Sequence, residues 1–387
     1  MTDARKRRKA KQARRDARRD ARQRRETSEE TELVDEVREA LDSGEPMDLL
    51  GLAGMVIEAT TPRNPLRENG SDDDETVGLA DLVDSFIGVP IRETTALLAA
   101  LAELLVDDDV LRDRCRREVA QRDDVLPPWL TGLAQARLER AVRMTHVLGD
   151  GDELLVGVRF SDGQSLTCAA FVDHNFMSFI TDAFVVPTAV DEVLELAERE
   201  NDDPDVSFVE MSLADAGAWL LHGLDEDGAF LIEDTDTWPA CRPLVHWLAH
   251  LVPEGGSVYE ASDLGWPQTE EFVDRFFASL VGMRFADPGH RRLLHRCIDE
   301  NNSDPLRWSA ARLHVMLDGP VGYADQPLPV AVQLDAPDLL RAFVPYAHAE
   351  SKIRLELTAE ALGAIDECED EYRQAVLDSA ADDEGDD

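Results

Sequence analysis

At 387 residues the chain is long enough for a large core and for two or three domains, and 43% hydrophobic residues place it among globular proteins. Its formal charge of −42 is unevenly divided: residues 1–25 hold 13 of the 39 basic groups and 3 of the 81 acidic ones, a net of +10, so the remainder carries −52. So acidic a body repels nucleic acid and anionic membranes, and with lysine only at Lys6, Lys9, Lys11 and Lys352 it has one amine for a phosphate loop or a Schiff base.

The first 25 residues carry no large apolar side chain after Met1 and cannot contribute to a core. They are read, with two residues more, as a disordered basic arm over 1–27. Arg7, Arg8, Arg14, Arg15, Arg18 and Arg19 are its candidates for binding a polyanion, either nucleic acid or an acidic partner protein. A solubilising tail, or one that folds back on the acidic body, is the plainer alternative.

Residues 28–145 are expected to be helical. Thr27-Ser28-Glu29-Glu30 is a capping box before Leu33, Val34, Val37 and Leu41, and Gly44 ends that helix. A second helix is expected over 46–60, followed by a polar, proline-containing linker over 61–76. Leu79–Phe86 and Arg92–Leu105 have the spacing of a helix-turn-helix. The second of these offers Arg92 alone beside Glu93 and Glu103, however, and its Leu97, Leu98, Leu101, Leu104 and Leu105 form a core stripe, so a helical hairpin is expected instead. Asp107-Asp108-Asp109 opens the next helix, and the element after Pro127-Pro128 is read as running to His146.

Residues 146–230 are expected to form an α+β region. Leu154–Phe160 and Ser165–Asp173 read as strands joined at Asp162-Gly163, with a two-residue type I′ turn that sets Phe160 opposite Ser165. That register places Leu154, Val156, Val158 and Phe160 with Thr167, Ala169, Phe171 and Asp173. Leu155, Gly157 and Arg159 then share the other face with Leu166, Cys168, Ala170, Val172 and His174. Phe179–Val186 continues the meander, a helix is expected over 191–200, a further strand over 205–211 and a helix over 212–224. From Trp238 on the pattern is helical, so 231–379 is a second helical region and 380–387 an acidic tail.

Asp173, His174 and Asp182 are the densest grouping of carboxylate and imidazole. Such a set can bind a divalent metal or pair a base with its orienting group, although alternation places Asp173 and His174 on opposite faces. Side-chain bonds to turn backbone are the simpler role for Asp173 and Asn175. His246 and His250 lie one helical turn apart, but no third ligand is near in sequence and the apolar side of that helix points elsewhere, so an exposed pair is expected. The five cysteines stand far apart in sequence and read as buried reduced thiols. No cofactor and no metal is expected. The longest apolar run, Ala96–Val106, is interrupted by Glu103 and too short to span a bilayer, so no membrane insertion and a cytoplasmic location are expected.

The stretches WPACRPLVHW, VDHN, DAFVVP, DPLRW and APDLLRAF resemble a family of uncharacterised proteins from high-GC bacteria over most of the chain after about residue 46. The resemblance implies a recurring folded protein and brings no activity, ligand or site residue with it. The sequence therefore predicts an α+β protein, mostly helical, with a small central antiparallel β-meander. The expected function is a non-enzymatic cytoplasmic interaction or regulatory protein whose arm binds a polyanion. The alternative is a metal-assisted hydrolase using Asp173, His174 and Asp182.

Overall fold

The computed structural model describes residues 32–61, 78–224, 235, 237–253, 255–260, 264–321 and 328–385. The basic arm, the capping box at 27–30 and nearly all of the linker over 61–76 lie outside these residues. The chain is α+β and mostly helical, with one five-stranded antiparallel sheet.

The first layer is helical: α1 (32–43), α2 (Pro46–Thr60), α3 (Leu79–Gly88), α4 (Arg92–Leu104) and α5 (Asp109–Val119). Punctuation visible in the sequence sets several of these ends. Gly44 takes φ +78 after α1, Pro46 occupies the first turn of α2, and the Asp108 carboxylate accepts the Leu111 amide at 2.9 Å to cap α5. The predicted leucine stripe is core, since Leu97, Leu98, Leu101, Leu104 and Leu105 are all buried. Arg122 locks the α3–α4 hairpin from behind, donating to the carbonyls of Phe86 and Ile87 at 3.0 and 3.2 Å and to the hydroxyls of Thr94 and Thr95 at 3.0 Å. Carbonyls freed at the end of α3 are thereby satisfied.

The sheet is larger than the sequence suggested. Arg137–His146, read there as helix, is a strand, β1; it is followed by β2 (Gly151–Arg159), β3 (Ser165–Asp173), β4 (Phe179–Val186) and β5 (Val206–Met211), in the order β4-β3-β2-β1-β5. The α+β region therefore begins at Arg137 rather than at 146. From Val142 on, apolar and polar residues alternate as Val142, Arg143, Met144 and Thr145, a period of two that the single turn of helix at Pro128–Thr131 does not carry over; before it the register shifts between Leu138 and Arg140.

The β2–β3 register also differs, by one residue. Arg159 lies opposite Ser165 and Val158 opposite Leu166, because the connection is a three-residue loop closed between Phe160 and Gln164, where the Phe160 amide donates to the Gln164 carbonyl at 2.9 Å. Gly163 is left-handed at φ +94, whereas Asp162 is not and instead accepts the Gln164 amide on its side chain at 3.1 Å. Such a loop needs one left-handed residue where a type I′ turn needs two. Since side chains alternate, the slip exchanges faces. Leu154, Val156 and Val158 lie with Leu166, Cys168, Ala170 and Val172 against the helical layer, and Leu155 and Ala169 lie with Val142 on the other. There α6 (Val190–Glu200) covers them with Val190 and Leu194.

Among the described residues this half is completed by α7 (Leu213–Gly223) and α8 (Trp238–His250), the latter against α2, α7 and β4. The rest is a helical bundle of α9 (Trp266–Ala278), α10 (Pro288–Glu300), α11 (Ala310–Met316), α12 (Ala336–Ser351) and the long α13 (Leu355–Gly385), which runs into the acidic tail. Its separate core contains Phe272, Phe276, Trp308, Phe343 and Tyr372. The two halves meet at one end of the sheet. Buried Arg312 is the central tie, donating to the Asn175 side chain at 2.6 Å and the Gly149 carbonyl at 2.7 Å, with its Nε 2.9 Å from the Asp150 carboxylate. Asn302 adds a bond to the His174 carbonyl at 2.9 Å, and Leu148 packs with Ile353 and Leu357.

Candidate functional site

At the seam between the halves the inner face of the sheet changes character. Along β1 it passes from Ala141 to Arg143 and Thr145, along β2 from Leu154 to Asp152, and beyond β3 from Val172 to His174. These polar ends line a pocket of about 190 Å³ completed by Gly149, Tyr259, Glu260 and Arg307. Interdomain seams are common places for ligand sites, and this one lies between two separate cores.

Asp152 is 2% exposed and takes the Arg143 guanidinium on Oδ2 at 3.1 Å. His174 Nε2 stands 3.3 Å from the same oxygen, an ion-pair distance without the alignment of a hydrogen bond, and Asp152 Oδ1 has no hydrogen-bond partner. Burial pushes the Asp152 carboxyl up, but His174, the Thr145 hydroxyl and Arg143 together outweigh it and hold the group below the usual carboxylate range. The imidazole is fixed on every side. Its Nδ1 is 3.0 Å from the Ser178 hydroxyl, Tyr259 stacks on it at 3.5 Å between centroids, and Trp219 meets it edge-on.

Tyr259 arrives from a segment without regular structure. That segment lies tight on the start of α7, where a side chain at Gly256 would come within 1.9 Å of the Ala214 carbonyl, and the Ser257 amide donates to Asp215 at 2.8 Å. Burial raises the Tyr259 phenol above its ordinary value. Arg143 also lies over the Trp219 ring at 5.6 Å. Arg307, oriented by Asp304 at 2.6 Å, brings a second guanidinium to the pocket.

Of the candidate catalytic residues named from the sequence, His174 alone lines this pocket. Asp173 accepts the Asn175 amide at 2.9 Å within the turn, and burial raises its carboxyl. Asp182 accepts the hydroxyls of Thr235 and Thr237 at 2.6 and 2.7 Å, where the chain enters α8. The three side chains thus have different partners and do not form one constellation. Asn175 makes no side-chain bond to its own turn; it serves Arg312. Arg7, Arg8, Arg14, Arg15, Arg18 and Arg19 lie outside the described residues. Arg143 and Asp152 were missed because Arg143 was read within a helical region and Asp152 lies before Leu154, where the sequence reading began the strand that in fact starts at Gly151. The alternation in β1 was the signal available. Tyr259, Glu260 and Arg307 come from distant segments and had none.

His174 is sealed by Tyr259, Trp219, Ser178 and Asp152, whereas the two guanidinium groups are partly exposed, with side chains 31% and 24% accessible. A carboxylate or phosphate fits such a pair. Outside the pocket, two groups of His and Asp among the described residues have ligand atoms close enough together to share one metal ion: His146 with Asp203 and Asp205, and His246 and His250 with Asp107. Cys115, Cys168, Cys241 and Cys297 are buried, and burial pushes the Cys115 and Cys241 thiols up to about 11, far from nucleophilic readiness. Among the described residues no helix is long and apolar enough to cross a membrane. No protein-family profile, curated protein or solved structure matches the chain.

Proposed function

We propose that this is a non-enzymatic interaction or regulatory protein of the cytoplasm whose Arg-rich arm engages a polyanion, nucleic acid or an acidic protein, while the folded body binds or regulates. The observation that carries this reading is how the body uses its own cations. Arg140 is held by Glu210 and Asp191, Arg291 by Glu270 and Asp274, Arg341 by Asp366 and Glu369, and Arg354 by Asp205. With these guanidinium groups of the body committed, the net +10 of residues 1–25 is the densest run of positive charge in the sequence and the one suited to a polyanion. The test is binding of a fluorescent single-stranded oligonucleotide, and of polyglutamate, to the full chain and to a chain lacking residues 1–25. Engagement of six phosphates gives a slope of about −4 in log K against log salt, lost on deletion. Equal binding by both chains, or none by either at low salt, overturns the reading.

A second reading concerns the seam pocket and rests on Arg143 and Arg307 facing it beside the Asp152–His174 pair. It takes the anionic group of a small molecule there. Inorganic phosphate is the simplest probe: it should raise the melting temperature of the native chain and have no such effect on Arg307→Ala. An equal rise in both, or in neither, removes the pocket from the account.

A further inference from the structure

We propose that Asp107, His246 and His250 form a binding site for a zinc-type divalent transition-metal ion, a site distinct from the seam pocket. His246 and His250 share one face of α8, with ring centroids 5.0 Å apart. The third group is absent from their neighbourhood in sequence. It comes from the corner between α4 and α5, where the Asp107 carboxylate Oδ2 stands 3.1 Å from His246 Nδ1. One ligand atom from each residue lies within 4.8 Å of the others. Zinc bonds of about 2.0–2.2 Å hold tetrahedral ligands about 3.4 Å apart, so side-chain rotations of about 1 Å close the set around an ion.

A second observation is independent of that proximity. His250 Nδ1 is 2.8 Å from the His246 carbonyl oxygen, to which it can only donate, so its proton sits on Nδ1 and the lone pair on Nε2 is available. Metal-binding histidines are set up by this same bond from the other ring nitrogen to a backbone carbonyl. The site is also reachable: the Asp107 side chain is 70% accessible and that of His246 31%, so water can complete the coordination.

The electrostatics separate this group from the other one. At His146, Asp203 and Asp205 the guanidinium of Arg354 lies on both carboxylates and opposes a cation. Among the described residues no arginine pairs with Asp107. Arg112, on α5, is committed to the Asp109 carboxylate and the Val106 carbonyl. Imidazole nitrogen with one carboxylate suits zinc, nickel or cobalt, and disfavours magnesium and calcium, which take oxygen ligands. An ion so held would tie α8 to the α4–α5 corner and add to the stability of that half.

The experiment is a zinc titration of the untagged, chelator-treated full chain by calorimetry in excess magnesium, with cobalt absorption as a second readout. One saturable site is expected, with visible cobalt bands and a zinc-dependent rise in melting temperature. His246→Ala, His250→Ala and Asp107→Asn should each weaken zinc by about tenfold or more, and His146→Ala should leave it unchanged. Asp107→Asn keeps shape on an exposed side chain and so tests the site without disturbing the fold. The proposal fails if the native chain shows no saturable zinc binding over magnesium. It fails equally if the double histidine variant, folded by circular dichroism, binds zinc as tightly as the native chain.

Discussion

The seam pocket and the core of the C-terminal bundle each bury a histidine, and the two are treated in opposite ways. His348, 1% exposed, has both nitrogens satisfied by neutral groups. Thr358 donates its hydroxyl to the Arg354 carbonyl at 3.1 Å and so receives the His348 Nδ1 proton at 2.9 Å, which leaves Nε2 to accept the Trp308 amide at 3.2 Å. Burial pushes this imidazole down to about 4, so it is neutral at pH 7. His174 is also buried but faces a carboxylate and, through it, a guanidinium. The first arrangement is closed and joins α12 to α13. The second places charge at the edge of a cavity, and that difference, rather than burial, marks the functional candidate.

The comparison breaks if the two sites respond alike. The largest expected effect is Asp152→Ala, which leaves Arg143 and His174 beside an empty position on the inner face and should cost about 4 kcal/mol, read as a loss of urea midpoint. Asp152→Asn, equal in shape, should fall between this variant and the native chain. His348→Ala should cost about 3 kcal/mol, from a small cavity and an unpaired Trp308 amide. The reverse order would mean that the charged pair contributes little and the pocket is a packing fault.

Acid separates the sites further. An unfolded imidazole titrates near 6.5 and His348 in the fold near 4, so between these values the unfolded chain takes the proton first. Stability therefore falls as pH drops through that window and levels below it, by up to about 2 kcal/mol. Asp152 is shifted in the same direction from a lower reference: its depressed carboxyl contributes stability above the unfolded value of 3.8, lost as pH falls through the folded one. His348→Gln should flatten the first window and leave the second. Urea melts of both chains from pH 7 to pH 3 measure this.

Elements with strong local signals were legible in the sequence. The α3–α4 hairpin, α2 after Pro46 and the β2–β3–β4 meander all carry caps, prolines or alternation within a few residues. The misreading of β1 has a physical source: its Arg, Leu, Glu, Ala and Met are good helix formers, and tertiary pairing with β2 and β5 overrides that preference. The site was less legible than the fold. His174 was identifiable as a polar residue at a strand end, but its partners depend on a register fixed by one loop and on Tyr259 and Arg307 brought from far along the chain. Asp107 opposite His246 is a similar case, a contact no local pattern encodes.

The smallest effect, Gly163→Ala, tests the register itself. A methyl group at this position meets nothing within 4 Å, so the cost is that of holding a non-glycine residue at φ +94, about 1 kcal/mol. The expected outcome is this loss with the His174 ring resonances unchanged. The pairs from Gly151↔Asp173 to Arg159↔Ser165 outweigh the loop and keep Asp152 on the inner face. Relaxation to a two-residue turn would slip the strands by one, carry Asp152 to the opposite face and separate it from His174, while His348, which takes no part in the sheet, would report nothing. A shift of the His174 signals alone would therefore show that the loop, and not the ladder, holds the pocket together.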